Sequence, residues 1–386
     1  MILPDLERRE DPLLQDLQLP QGLRPGSRIL VAMSGGLDSS MCAALLHRAG
    51  FEVVGVSMNL FPKGPGTVGG SCCTLEDFQG ARKLAHEIGF PHFILDLEKE
   101  FDAQVIQTFA QAYVHGLTPS PCILCNQYLK FDLLMSHARE IGASHLATGH
   151  YARILHDAGP FRLHRSKDLR KDQSYFLFGL DQARLGSLLF PLGALSKDEV
   201  RRRAGLLELA VASKPESQDI CFVPPEGYAS FLEARGVVPK AGLPGPIRHR
   251  DGRILGTHRG HWNFTVGQRR GIGVAFQSPL YVIEIDAVSN TVWVGESSHL
   301  LCRGLVAGNT SWISGTPPAP APFRCQAKVR STASLVAVEA SAVGDRLTLA
   351  FDDPQPAVAP GQAVVLYQGD EVLGGAWIEK GLPPSP

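Results

Sequence analysis

RILVAMSGGLDSS, from Arg28 to Ser40, is the stretch that decides the fold. An apolar run ends at Gly35 and Gly36, and the chain then enters a helical pattern through Asp38, Ser39 and Ser40. A strand that breaks at two glycines and restarts as a helix exposes backbone N–H groups at the positive end of the helix, and together these hold a phosphate. The lysine of the commonest phosphate loop, GxxxxGK[ST], is missing. The loop therefore points to a different class of nucleotide site.

Outward from that turn, short apolar runs alternate with helical segments: RILVAMS, SSMCAALLHRAG, FEVVGVSM, DFQGARKLAHEIG and HFILDL. This βαβαβ pattern predicts an α/β domain with a Rossmann-like parallel sheet covered on both faces. Ligands of such sheets bind beyond the carboxyl ends of the strands. HLATGHYARIL supplies a further strand, and Gly149 and His150 reach the same edge. A helix is expected from Lys197 to about Leu209, with Ser196 as N-cap and Glu199 completing a capping box.

Between Ser213 and Pro279 the chain is rich in Gly, Pro and Arg, with one helical piece, GYASFLEARG. From Leu280 the runs LYVIEID, TVWVGE, FRCQAKVR, DRLTLAF, QAVVLYQ and VLGGAWIE alternate and are separated by turn residues, which reads as a small antiparallel β-barrel. The expected division is a loose extension over 1–27, a nucleotide-binding catalytic domain over 28–212, a small middle domain over 213–279 and a barrel over 280–386.

The length of 386 residues fits two or three domains, and 44% hydrophobic with 19% charged residues is the composition of a folded chain. No apolar run is long enough to span a bilayer, and MILPDLERREDPLLQDLQLPQGLRPGS lacks the pattern of a secretory signal. A cytoplasmic location without membrane contact is expected. A net charge of −1 argues against a generally basic nucleic-acid coat protein, but two basic runs stand out, Arg162 to Lys171 and Arg248 to Gly271. In the second, Arg248, Arg250, Arg253, Arg259, Arg269 and Arg270 face one acid, Asp251, and Trp262 and Phe264 lie among them. Arginine with aromatic residues suits phosphates and splayed bases; the plainer reading, extended to His258 and His261, is solvated surface.

Eight cysteines over this length suit reduced thiols better than a disulfide scaffold. TPSPCILCN places Cys122 and Cys125 at the start of a predicted helix, where a thiol is activated, and Cys221 lies in SKPESQDICFV. A structural zinc at the CxxC pair is the bland alternative. Cys72 and Cys73 read as redox helpers, spare ligands or small buried residues; Cys42, Cys302 and Cys325 sit in apolar patterns and read as core.

The loop Ser34-Gly35-Gly36-Leu37-Asp38-Ser39 resembles the SGGxDS signature of the pyrophosphate-loop enzymes, which cleave ATP between the α- and β-phosphates. AMSGGLDSS, TPSPCILCNQYLKF, LATGHYAR, KDQSYFLF, SQDICF, HWNFTVGQRRGIG and APGQAVVLYQGDEVLGG, in that order, resemble the tRNA-specific 2-thiouridylases over nearly the whole chain from residue 28. The resemblance implies ATP and Mg²⁺ as requirements, with Ala32, Met33, Ser34, Gly35, Gly36, Leu37, Asp38 and Ser39 around the phosphates and Met58 and Gly149 at the adenine. Asp38 would help hold the metal. Cys125 matches the nucleophile and Cys221 the persulfide carrier, and a disulfide between them forms during release. Ser120, Pro121 and Cys122 match the target-base contacts; Lys171, Asp172, Gln173, Arg330 and Ser331 match tRNA contacts. The implied partners are tRNA and a persulfide donor, a cysteine desulfurase or a sulfur-carrier protein. Two departures matter. Many family members carry aspartate in place of Cys122, so Cys122, Cys125 and Cys221 leave open a [4Fe-4S] cluster. The family often has an aromatic residue where this chain has Ser331, which weakens that contact. The rivals are an ammonia-delivering synthetase of the same superfamily and a non-catalytic tRNA-binding protein.

Overall fold

A computed structural model describes residues 11–20, 22–61, 74–213 and 220–384. At its centre is a five-stranded parallel sheet formed by β1 (Arg28–Ala32), β2 (Glu52–Asn59), β3 (His92–Asp96), β4 (His145–Ala147) and β7 (Leu188–Leu189), in the order β3-β2-β1-β4-β7. Alternate residues of β1 feed two cores. Ile29 and Val31 pack with α1 (Leu37–Arg48), α2 (Leu75–Ile88) and α5 (Lys197–Leu206), whereas Leu30 packs with the helical stretches 98–114 (α3) and 121–140 (α4). Both faces are thus buried, and the central strands read as continuous apolar runs for that reason. The order reverses between β1 and β4, so their carboxyl ends form the crevice at the switch point.

Local signals set the ends of these elements. Thr74 and Asp77 form a reciprocal capping box on α2, which ends at Gly89 in the left-handed region. Ser196 accepts from the Glu199 amide at 3.2 Å and starts α5 as expected, but the helix stops at Leu206. The Glu199 carboxylate turns instead to Arg202 and Arg203.

Two expectations change here. The segment read as a loose extension is docked from Asp11 onward: Leu13, Leu14, Leu17, Leu19 and Leu23 pack against the α1 side of the sheet. Asp11 pairs with Arg48 at 2.6 Å, and buried Arg203 donates to the carbonyls of Leu13 and Gln15 at 2.7 and 2.8 Å. Acidic and proline residues between the leucines hid their common apolar face. Secondly, Tyr281–Asp286 (β10) and Thr291–Gly295 (β11), expected in the barrel, join β8 (Gly245–His249) and β9 (Ile254–His258) in a four-stranded middle sheet ordered β10-β11-β8-β9. Alternation marks a strand without naming its partner.

The barrel comprises β12 (Leu301–Trp312), β13 (Phe323–Lys328), β14 (Val336–Val343), β15 (Arg346–Pro356), β16 (Ala363–Gln368) and β17 (Glu371–Leu382), closed by pairing of β12 with β17. A hairpin of the sheet domain, β5 (Ala152–Leu155) and β6 (Arg162–Arg165), extends it through β6 against β17. Tyr175 Oη donates to Ala363 O at 2.8 Å across the same junction. Among the described residues no helix is long and apolar enough to cross a membrane.

Candidate active site

The crevice between β1 and β4 opens into a cavity of about 200 Å³ lined by Ala32, Met33, Ser34, Asp38, Ser39, Met58 and Gly149, together with Lys130, Thr148, His150 and Gln173. Ser39 Oγ accepts from the Ser34 amide at 3.1 Å and donates to Gly36 O at 3.1 Å, tying the loop to the first turn of α1. The N-cap of α1 is Gly36, which has no side chain to cap that turn. The helix thus presents its first amides and its positive end to whatever anion enters. Gly35 has a φ of 71°, and a Cβ there would lie 2.8 Å from Asp77 Cα, so the start of α2 closes down on the loop.

Asp38 is fixed by two groups from distant sequence. Tyr151 Oη donates to Oδ1 at 2.8 Å, and Lys197 Nζ contacts Oδ1 and Oδ2 at 2.7 and 2.8 Å. The carboxylate is one-third exposed whereas the lysine side chain is 3% exposed. Magnesium is commonly held by one or two carboxylates plus substrate phosphates, and the Asp38 carboxylate on the cavity wall beside the glycine loop fits that demand.

The far side of the cavity is formed by α4 and the segment after β4. Lys130 Nζ donates to Asn126 Oδ1 at 2.9 Å, and Asn126 donates to Phe176 O at 3.2 Å. His150 is buried, contacts Thr148 Oγ1 through Nδ1 at 2.7 Å, and lies against Phe131 and Phe190. Burial, and secondarily Lys130, hold its pKa well below the usual histidine range. The folded protein keeps this imidazole neutral, whereas the unfolded chain takes up a proton near pH 6.5. Stability is therefore expected to fall as the pH drops below about 6.5. His150→Gln should reduce that slope, as read by denaturant unfolding at pH 7.5 and 5.5; an unchanged slope would rule out the buried neutral ring as a source.

Ser120 and Pro121 are buried at the start of α4, and Cys122 is exposed in its first turn. Cys125 stands one turn further in, where a wide-turn π segment (Cys125–Leu133) begins. The field of a helix terminus decays within the first turn, so it acts on Cys122 more than on Cys125, which revises the simple helix-start argument. Cys125 and Cys221 are half-buried and pack on the same apolar cluster. Among the described residues, no three His, Cys, Asp or Glu side chains are grouped so as to hold a metal ion. Cys42 and Cys325 are buried, their thiols pushed up by desolvation, Cys325 to about 12, and Cys302 is half-buried. Cys72 and Cys73 lie outside the described residues.

Of the expected tRNA contacts, Asp172 has a side chain only 1% exposed. It accepts from the Ser166 and Ser174 amides at 3.1 and 3.2 Å and from Ser174 Oγ at 3.0 Å, with Arg165 Nε at 3.4 Å. Gln173 Oε1 accepts from the Tyr151 amide at 2.9 Å and lines the cavity. Asp172 thus holds the local turn and Gln173 lines the cavity, while Lys171 is half-buried beside them. Arg330 is exposed and Ser331 half-buried on the turn between β13 and β14. In the middle domain Arg250, Arg253, Arg259, Arg269 and Arg270 are exposed, but Trp262 and Phe264 are core residues. Their rings are therefore not platforms for bases. His261 is also buried, bonded to Asn290 Oδ1 and Val114 O at 2.9 and 2.8 Å, and His258 to Asn290 O at 3.1 Å.

Sequence reasoning missed Lys130, Tyr151 and Lys197. One signal was present: a lysine directly after the Ser196 cap stands at the positive end of a helix, where a cation is disfavoured without a partner.

Family models match in succession a tRNA methyl transferase HUP domain over residues 27–225, a tRNA methyl transferase PRC-barrel domain over 230–296 and an aminomethyltransferase beta-barrel domain over 302–378. The tRNA-specific 2-thiouridylase MnmA of Solibacter usitatus is 46% identical over 92% of this chain and 100% of its own length. Those of Geobacter metallireducens and Heliobacterium modesticaldum are 47% and 44% identical, over 91% and 92% of this chain and 96% and 93% of theirs. With its phosphate loop, its cysteines and its three successive domains in the family's order, the chain belongs to the tRNA-specific 2-thiouridylases.

Proposed function

We propose that this enzyme adenylates the C2 oxygen of the wobble uridine in tRNA and replaces it with sulfur carried on Cys221. The observation that carries this reading is the continuity of the two chemistries: α4, which bears Cys125, delivers Lys130 into the nucleotide cavity five residues later. ATP places its phosphates on Ala32 to Ser39 and its adenine toward Met58 and Gly149. Asp38 would hold the Mg²⁺ that accompanies the phosphates, and that ion would supply charge neutralisation for the departing pyrophosphate. The uridine C2 oxygen attacks the α-phosphorus, the α–β anhydride bond breaks, and pyrophosphate leaves with the electron pair. Ser120, Pro121 and Cys122 border the base.

The terminal sulfur of a Cys221 persulfide then attacks C2 and expels AMP, leaving C2–S–S–Cys221. The Cys125 thiolate attacks the Cys221 sulfur, so that the S–S electrons pass to the sulfur on C2 and 2-thiouridine is released. The resulting Cys125–Cys221 disulfide takes two electrons from a thiol reductant before the next turnover. A cysteine desulfurase or sulfur-carrier protein reloads Cys221. The exposed arginines of the middle domain, with Lys171, Arg330 and Ser331, provide the contacts to tRNA phosphates.

The test is nucleoside mass analysis of unmodified tRNA incubated with the protein, Mg-ATP, a thiol reductant and a persulfide donor. Formation of 2-thiouridine together with stoichiometric AMP and pyrophosphate is the expected result. AMP formation without thiolated product, with the donor shown to be active, would instead favour adenylation of another substrate.

A further inference from the structure

The phosphate loop lacks its own lysine, yet the structure brings one to it from 159 residues away. Lys197 is the first residue of α5, the position where a helix dipole most disfavours a cation. Its side chain is buried, and its ammonium spans both oxygens of Asp38 at 2.7 and 2.8 Å while lying 5.6 Å from the Tyr151 ring centroid. The placement is enforced rather than chosen by a flexible side chain. Lys197 N donates to Asp168 Oδ2 at 3.1 Å, Ser196 caps the helix, and Arg203 ties the same helix to the segment 13–15.

The lysine of this pair is buried while the carboxylate is one-third exposed, so the ammonium depends on Asp38 to offset its own desolvation. Asp38 lines the cavity with Lys197 directly behind its carboxylate, so on the ATP reading above the ammonium lies one carboxylate's width from the departing pyrophosphate. We propose that Lys197 is the positioning cation of this loop, orienting the Asp38 carboxylate and offsetting charge as the α–β anhydride bond breaks and pyrophosphate leaves. The proposal rests on the ATP cleavage argued above. It predicts an effect on the chemical step, because charge stabilisation that grows toward the transition state acts on kcat more than on KM.

The experiment compares wild type, Lys197→Met and Lys197→Arg in tRNA-dependent pyrophosphate release, with binding of inorganic pyrophosphate and thermal unfolding measured on the same proteins. Lys197→Met should lose about a hundredfold or more in kcat, with KM for ATP changed less than about threefold, and should bind pyrophosphate about tenfold more weakly. The arginine variant should recover at least a tenth of the wild-type rate. Because Asp38 is one-third exposed, its carboxylate stays solvated in the methionine variant. Should that variant nonetheless melt early, kcat is compared at a temperature where it is fully folded, so that any loss from stability alone is recovered there. Wild-type kcat and pyrophosphate affinity in Lys197→Met, or a loss fully recovered by restoring stability, would overturn the inference. A wild-type protein that releases no pyrophosphate would overturn the ATP-cleavage reading itself.

Discussion

Cys221→Ser is expected to abolish formation of 2-thiouridine, by about a thousandfold or more, while the rate of pyrophosphate release in a single turnover stays within about threefold of wild type. A serine hydroxyl forms no persulfide, so the chain would have no sulfur to deliver. The nucleotide cavity is untouched, since its lining comes from the β1–α1 loop, β2, α4 and the segments after β4. Cys125→Ser should give a different failure. Adenylation and the first attack by the persulfide sulfur proceed, but the S–S bond to Cys221 is no longer cleaved from within, and tRNA accumulates as a covalent adduct that added thiol releases. Cys302→Ser, in the barrel, is the control and should retain activity. Gel analysis of the adduct with and without reductant, beside nucleoside mass analysis, separates these outcomes. Full thiolation by Cys221→Ser would remove the relay from the mechanism.

The parts of the molecule that are legible from sequence are those whose physics is local. The strand-glycine-helix turn at Arg28 to Ser40 announces itself because its hydrogen bonds and dipole act within a dozen residues. The strands of the barrel alternate because each faces the core on one side. What the sequence conceals is partnership. Tyr281–Asp286 and Thr291–Gly295 look like barrel strands, and nothing in their residues shows that Thr291–Gly295 pairs with Gly245–His249 and carries its hairpin partner with it. Leu13, Leu14 and Leu17 look like scattered apolar residues until the groove beside α1 and α5 receives them. In the basic middle segment the error runs the other way. Trp262 and Phe264 sit between arginines in sequence, but their rings turn inward, and only the guanidinium groups remain outside. Asp172 is hidden similarly: a motif residue in sequence, it is a four-bond structural acceptor in space. Tyr151 and Lys197, both distant along the chain, acquire meaning only where the fold lays them on Asp38.

The loop geometry leads to the second large effect, at Gly149. This residue has no unusual backbone angle requirement, so a propensity argument would tolerate alanine there. Space does not: a Cβ would stand 2.8 Å from the Asp38 carbonyl carbon, 2.9 Å from the Ser39 amide nitrogen and 3.0 Å from Asp38 Cβ. All three belong to the first turn of α1 or its Asp38 side chain, and two are backbone atoms that cannot rotate away. Forcing a methyl group into such a contact costs about 1–3 kcal/mol, and relief comes only by pushing α1 away from β4. That shift moves Asp38 and Ser39 relative to the strand ends that place the nucleotide. Displacements of about 1 Å at a reacting centre cost roughly a hundredfold in rate, so Gly149→Ala should lower kcat/KM for ATP by about that factor while remaining folded. Gly205→Ala provides the comparison, because a Cβ at that position in α5 meets nothing within 4 Å and removes a glycine from a helix. It should be neutral or slightly stabilising. Steady-state pyrophosphate release for the two variants decides the matter: equal activities would mean that the loop accommodates the methyl group without moving Asp38, and the close approach of β4 to α1 would then be packing without catalytic consequence.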